Sequence, residues 1–183
     1  ATSYFSNSWA TSSGGSAGTG FPAPGVDRAH IDVNSYSSGS ITLALAGYTG
    51  ARIGSMDFTG VTNNPTLSIA STVQYYGASY KFNSSMTISG ASAATFPGDG
   101  AVAMETGGAT YTGSLNMNGI GGTLLFNGFI SSSTLTHNNG TINQGVNVNQ
   151  FTTFTSSSGL TRVHIENDSV TVFTGTTFNI GSA

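Results

Sequence analysis

Short runs in which apolar and polar residues alternate fill the chain from residue 28 onward. In Arg28 to Val33, Ala29, Ile31 and Val33 fall on one side, and Arg28, His30 and Asp32 on the other. A period of two with β-branched residues marks a half-buried strand. The prolines and glycine of the preceding FPAPG (Phe21 to Gly25) set a turn ahead of it. This stretch is expected to close one end of an elongated β structure and to offer a template to the next strand. After Asn34 come many small apolar groups, among them Ile41/Leu43/Leu45, Leu67/Ile69, Val73/Tyr75, Val102/Met104, Leu124/Phe126 and Val170/Val172. Each places two or three side chains on one face before Gly, Asn, Ser or Pro interrupts. Helical spacing is absent, so the pattern predicts an all-β chain.

Two architectures fit short strands of this kind. In a β-solenoid, or parallel β-helix, each strand stacks on the coil below, and Gly or Asn turns the corners. In a β-sandwich or jelly roll, longer strands pair through hairpins. Strand brevity, abundant Ser, Thr and Asn, and scarce charge favour the solenoid. Asn118-Gly119, Asn127-Gly128 and Asn139-Gly140 argue the other way, and LLFNGFIS around Asn127 reads as a tight hairpin. The expected organisation is a loop and capping strand over residues 1–40 and a solenoid body over 41–183, in one structural domain. Six or seven coils of about 20 residues at about 4.8 Å each make a stack roughly 30 Å tall. Trp9 is expected to plug the end of the core, and VTVFTGTTFNIGSA at the other end has no evident cap, which points to another chain or a continuation.

Composition narrows the function classes. Only 6% of the 183 residues are charged, the net charge is −3, and Arg28, Arg52, Lys81 and Arg162 are the fixed cations. Four scattered cations cannot displace the counterions of nucleic acid, so that class is excluded. Hydrophobic residues at 37% and aromatics at 10% supply a core, which separates the chain from disordered polar sequences. There is no cysteine for a disulfide or thiolate site, and no apolar run reaches the roughly 18 residues of a membrane helix. Ala1 is not an initiator Met, so the chain is read as a mature product or as a segment of something longer.

WATSSGGSAGTGFPAPGVDRAHIDVNS, followed by SMDFTG and LSIASTVQYYGASYKF, resembles a module of phage tail-fibre, appendage and capsid-surface proteins that also occurs in bacterial surface proteins. The matching positions are Trp9, Ser12 to Gly15, Phe21-Pro22, Asp27, Asp32 to Ser35, Phe58 to Gly60 and Val73 to Gly77. Arg28 stands where that family often carries a second acid. The resemblance covers roughly residues 4–90 and implies a β-rich, oligomeric protein of a virion surface or the extracellular space. It does not imply catalysis.

Candidate chemistry is sparse. RAHID (Arg28, His30, Asp32) and RVHIE (Arg162, His164, Glu166) repeat Arg-apolar-His-Ile-acid, one near each end. The plain explanation is that exposed strand faces are polar. The functional one is a subunit contact with paired opposite charges, in a homo-oligomer expected to be a trimer. A His-acid ion site between copies would extend that contact, but no metal ligand set and no cofactor is assigned. Trp9 and Tyr76 are candidate rings for stacking on host surface glycans. Glu166 and Asp168 have a spacing compatible with glycoside hydrolysis, but Asn167-Asp168-Ser169 reads as a turn. No Gly-x-Ser-x-Gly nucleophile elbow, set between a strand and a helix, can be picked out, and His-Glu-x-x-His is absent. The expected function is a non-enzymatic virion structural protein (a phage fibre, appendage or capsid decoration) that contacts other virion proteins. The alternatives are a bacterial adhesin or carbohydrate-binding module, and less readily a polysaccharide-degrading tailspike.

Overall fold

The computed structural model describes residues 2–3, 9–12, 15–16, 18, 20, 22, 27–35, 42–45, 51–89, 93–109, 111, 113–128, 131–143, 148–156, 162–165 and 170–180. Every element among them is a strand. In chain order they are Thr2–Ser3 (β1), Arg28–Asp32 (β2), Thr42–Leu45 (β3), Ala51–Ile53 (β4), Ser55–Gly60 (β5) and Thr66–Ile69 (β6). Then follow Val73–Tyr75 (β7), Ser79–Lys81 (β8), Thr87–Ser89 (β9), Ala94–Phe96 (β10), Ala101–Glu105 (β11) and Leu115–Met117 (β12). The last are Thr123–Asn127 (β13), Ser131–His137 (β14), Gly140–Asn143 (β15), Val148–Ser156 (β16), Arg162–Ile165 (β17) and Val170–Ile180 (β18).

These strands form three parallel sheets. Sheet I has four strands in the order β1-β3-β6-β9. Sheet II has seven, β4-β7-β10-β12-β14-β16-β18, and sheet III has seven, β2-β5-β8-β11-β13-β15-β17. Consecutive strands of the chain lie in different sheets, and the next strand of the same sheet arrives a coil later in the same direction. Leu115, for example, aligns with Ala94 below and Leu135 above. Returning to a sheet only after a full circuit makes every pairing parallel, as a connection of a dozen or more residues allows. The fold is an all-β solenoid.

Alternation along each strand puts one set of side chains inside, and register stacks them into columns. Ala29, Met56, Tyr80, Met104 and Phe126 line sheet III, and Val73, Ala94, Leu115, Leu135 and Phe154 line sheet II, all buried. Leu43, Leu67 and Ile88 do the same for sheet I. Tyr75 stacks on Phe96 at 5.2 Å and meets Tyr80 edge-on at 4.6 Å, geometries that add to simple burial.

β2 is the first strand of sheet III, as its alternation predicts, with Ala29 and Ile31 buried. Val33 departs from the expectation: the strand ends at Asp32, and Val33 lies in the following turn, 54% exposed. The hairpin expected at Asn127-Gly128 is absent as well. Asn127 ends β13 in sheet III, and Ser131 begins β14 in sheet II. The Asn-Gly pairs are corners. Gly119 lies so close to the carbonyl oxygen of Gly98 that a Cβ would sit 1.8 Å from it. The Asn138 amide donates to Asn118 Oδ1 at 2.6 Å, and that of Asn139 to the Asn118 carbonyl at 3.2 Å, tying neighbouring coils along the axis. Trp9 packs, partly buried, against the core.

Candidate functional site: an ionic ladder on the outer face of sheet III

The outward column of sheet III begins with His30, aligned with Asp57 on β5. Asp57 aligns with Lys81 on β8, Lys81 with Glu105 on β11, and Glu105 with Asn127 on β13. Successive coils thus carry acid, base and acid in one line, in a chain with very few charges. The Arg28 guanidinium donates to Asp57 Oδ2, and His30 Nδ1 stands 3.8 Å from the same oxygen. Lys81 Nζ lies 3.2 Å from Glu105 Oε1. Opposite charges at the strand spacing of about 4.8 Å attract, where like charges would repel.

Asp57 is the best enclosed of these groups. Met56, Asp57 and Phe58 are buried in succession, because β5 carries an extra residue opposite β2 between His30 and Asp32. This bulge tucks the carboxylate into the sheet surface. Its Oδ1 accepts the Thr59 backbone N–H at 2.9 Å and the Thr59 hydroxyl at 2.7 Å. Burial alone would raise its pKa. The Thr59 hydroxyl and amide, then Arg28 and His30, outweigh burial and hold it below the ordinary value.

The expected site residues separate in space. Arg28 and His30 join the ladder, whereas Asp32 closes a turn: its Oδ1 accepts the Asn34 N–H at 2.9 Å and the Ser35 hydroxyl at 3.2 Å. Arg162 and His164 lie on β17, at the opposite end of the same sheet. Six strand spacings of about 4.8 Å put the two Arg-apolar-His motifs roughly 29 Å apart. Their registers differ too. His164 aligns with Ile142 in the column of Leu124 and Val102, whereas His30 aligns with Asp57. Glu166 and Asp168 lie outside the described residues. Trp9 rests on the core, and the Arg52 guanidinium lies over the Tyr76 ring, 5.0 Å from its centroid, a cation–π contact that occupies one ring face.

Sequence reasoning missed Asp57, Lys81 and Glu105, although a signal was present. Met56-Asp57, Tyr80-Lys81 and Met104-Glu105 recur every 24 residues with alternating sign. It also missed His137, which is buried above Met117 with Nε2 2.9 Å from the Gly140 carbonyl oxygen. Among the described residues no three His, Cys, Asp or Glu side chains converge to hold a metal, and no helix is long and apolar enough to cross a membrane. Comparison of the chain with protein-family models, with curated proteins and with solved structures finds no match.

Proposed function

We propose that the protein is a non-enzymatic structural component of a virion surface (a phage fibre, appendage or capsid decoration) that works by self-association and by attachment to other virion proteins. The observation carrying this reading is the ladder. The charged groups pair with one another along the axis, so they strengthen a stack and do not converge on a reacting atom. Such a rod is building material. Because the RAHID and RVHIE motifs are about 29 Å apart within one chain, a contact between them joins two copies. Native mass spectrometry is expected to show a homo-oligomer, with a trimer as the first expectation, that loosens in the Arg162→Ala/Glu166→Ala variant. Immunogold electron microscopy of native particles tests the location, and labelling confined to the host cell surface would overturn it. Bacterial surface polysaccharides are expected to survive incubation with the protein and with Glu166→Gln alike.

A second reading, a carbohydrate-binding adhesin, draws support from Tyr76, which is partly exposed beside Arg52 on the outer side of sheet II. A glycan array comparing the native protein with Tyr76→Ala discriminates the two, since a purely structural rod gives no glycan signal to lose.

A further inference from the structure

The outer face of sheet II differs from that of sheet III. Sheet III carries the ionic ladder. In the upper coils of sheet II, β12, β14 and β16 present two parallel columns of uncharged hydrogen-bonding groups. One runs Asn116, Thr136, Thr155, each aligned with the next. In the other, Thr134 aligns with Thr153, and Ser114 precedes Leu115 as Thr134 precedes Leu135. All six side chains are partly exposed, while Leu115, Leu135 and Phe154 between the columns are buried. The register through these rows is unshifted from Thr134 to His137.

Such stacking fixes a two-dimensional lattice. Rows repeat at the strand spacing of about 4.8 Å, and columns lie two residues apart, about 6.6 Å along the strand. None of the six side chains is long or charged, and four of the six positions are threonine, which offers a hydroxyl and a methyl at each lattice point. A surface with fixed donors and acceptors at regular intervals complements a ligand that is itself periodic, because each additional row adds contacts without new ordering cost.

We propose that this face of sheet II binds ice, holding an ordered layer of water that merges with the crystal. The two spacings are close to the periods of oxygen rows on faces of hexagonal ice. The other periodic ligand, a crystalline neutral polysaccharide, fits less well, because the six positions include no aromatic ring for a sugar to stack on. The proposal goes beyond the structural role above and does not depend on it.

The test uses the 183-residue chain and single ice crystals grown in its solution. The native protein is expected to facet the crystals and to hold growth below the melting point, and fluorescently labelled protein should coat the ice. Thr136→Tyr/Thr155→Tyr should abolish both effects. Thr87→Tyr, which makes the same kind of substitution at an exposed position on sheet I, should leave them intact. Circular dichroism checks the fold of each variant, and the milder Thr136→Ser, which removes only a methyl, should narrow the growth gap. Smooth discs with no gap in the native protein would overturn the proposal. So would full activity in the double variant, or sedimentation with chitin or cellulose in place of ice. Loss of ice binding leaves particle labelling unaffected, so the two readings fail separately.

Discussion

The lower and upper parts of the solenoid are built differently. From β3 to β11 the described strands visit three sheets on each circuit, and after β9 no described strand joins sheet I. From β12 onward the described strands alternate between sheets II and III, and those of sheet II lengthen. β12 has 3 residues, β14 has 7, β16 has 9 and β18 has 11. Rings are densest in the lower part, with Phe58, Tyr75, Tyr80, Phe82 and Phe96, and the coils above bury Tyr111, Phe126 and Phe154 among Leu115, Met117, Leu135 and Ile142. One corner column records the change. Phe82 and Thr106 both flank the bond from the Phe82 N–H to the Glu105 carbonyl, and above Thr106 stands Gly128, where a Cβ would lie 2.6 Å from Thr106 Oγ1. Phe, Thr and Gly in succession shrink the side chain at this corner from one coil to the next.

The largest test of this contrast is a pair of truncations. Phe96→Ala should cost about 3–5 kcal/mol and Leu135→Ala about 2–5 kcal/mol, because the ring leaves the larger void. Equal losses in urea unfolding would remove the distinction. Next in size is the corner. Gly128 has φ of 123°, so Gly128→Ala should cost about 1–3 kcal/mol in strain, and adding Thr106→Ala should recover only the part due to contact. Full recovery in the double mutant would show that the backbone at Gly128 is unstrained.

A smaller effect concerns Asp57. Folding depresses its pKa below 3.8, so its stabilisation is complete above that value and disappears as the pH falls through the folded pKa. Asp57→Asn should therefore lower stability at pH 7 by about 1.5 kcal/mol, the low end for hydrogen bonds to a charged group, since Arg28 is half exposed. At pH values below the folded pKa the variant and the native protein should converge in urea midpoint; a gap that persists there would assign the effect to packing. Smallest is Lys81→Ala. Both partners of that pair are about one-third exposed, so the loss should stay under about 1 kcal/mol and shrink at high salt.

Much of this was legible in the residues. Alternation places Ala29 and Ile31 inward, where the structure buries them, and the short alternating segments, scarce charge and Asn-rich corners point to stacked coils. Asn127-Gly128 misled because a dipeptide that permits positive φ does not say whether the chain doubles back or turns onto another face. The ladder went unnoticed because Asp57, Lys81 and Glu105 are isolated charges in sequence, and only coil register brings them into line.

Local pattern therefore determined that the chain would be all β, which side of each strand would face inward, and where it would turn, since these depend on side-chain alternation and corner residues within a few positions. Tertiary structure decided which strands lie side by side, and that His30 aligns with Asp57 while His164 aligns with Ile142. Those outcomes depend on coil length and on the volume available at each level of the core, and neither is visible until one coil has been laid upon another.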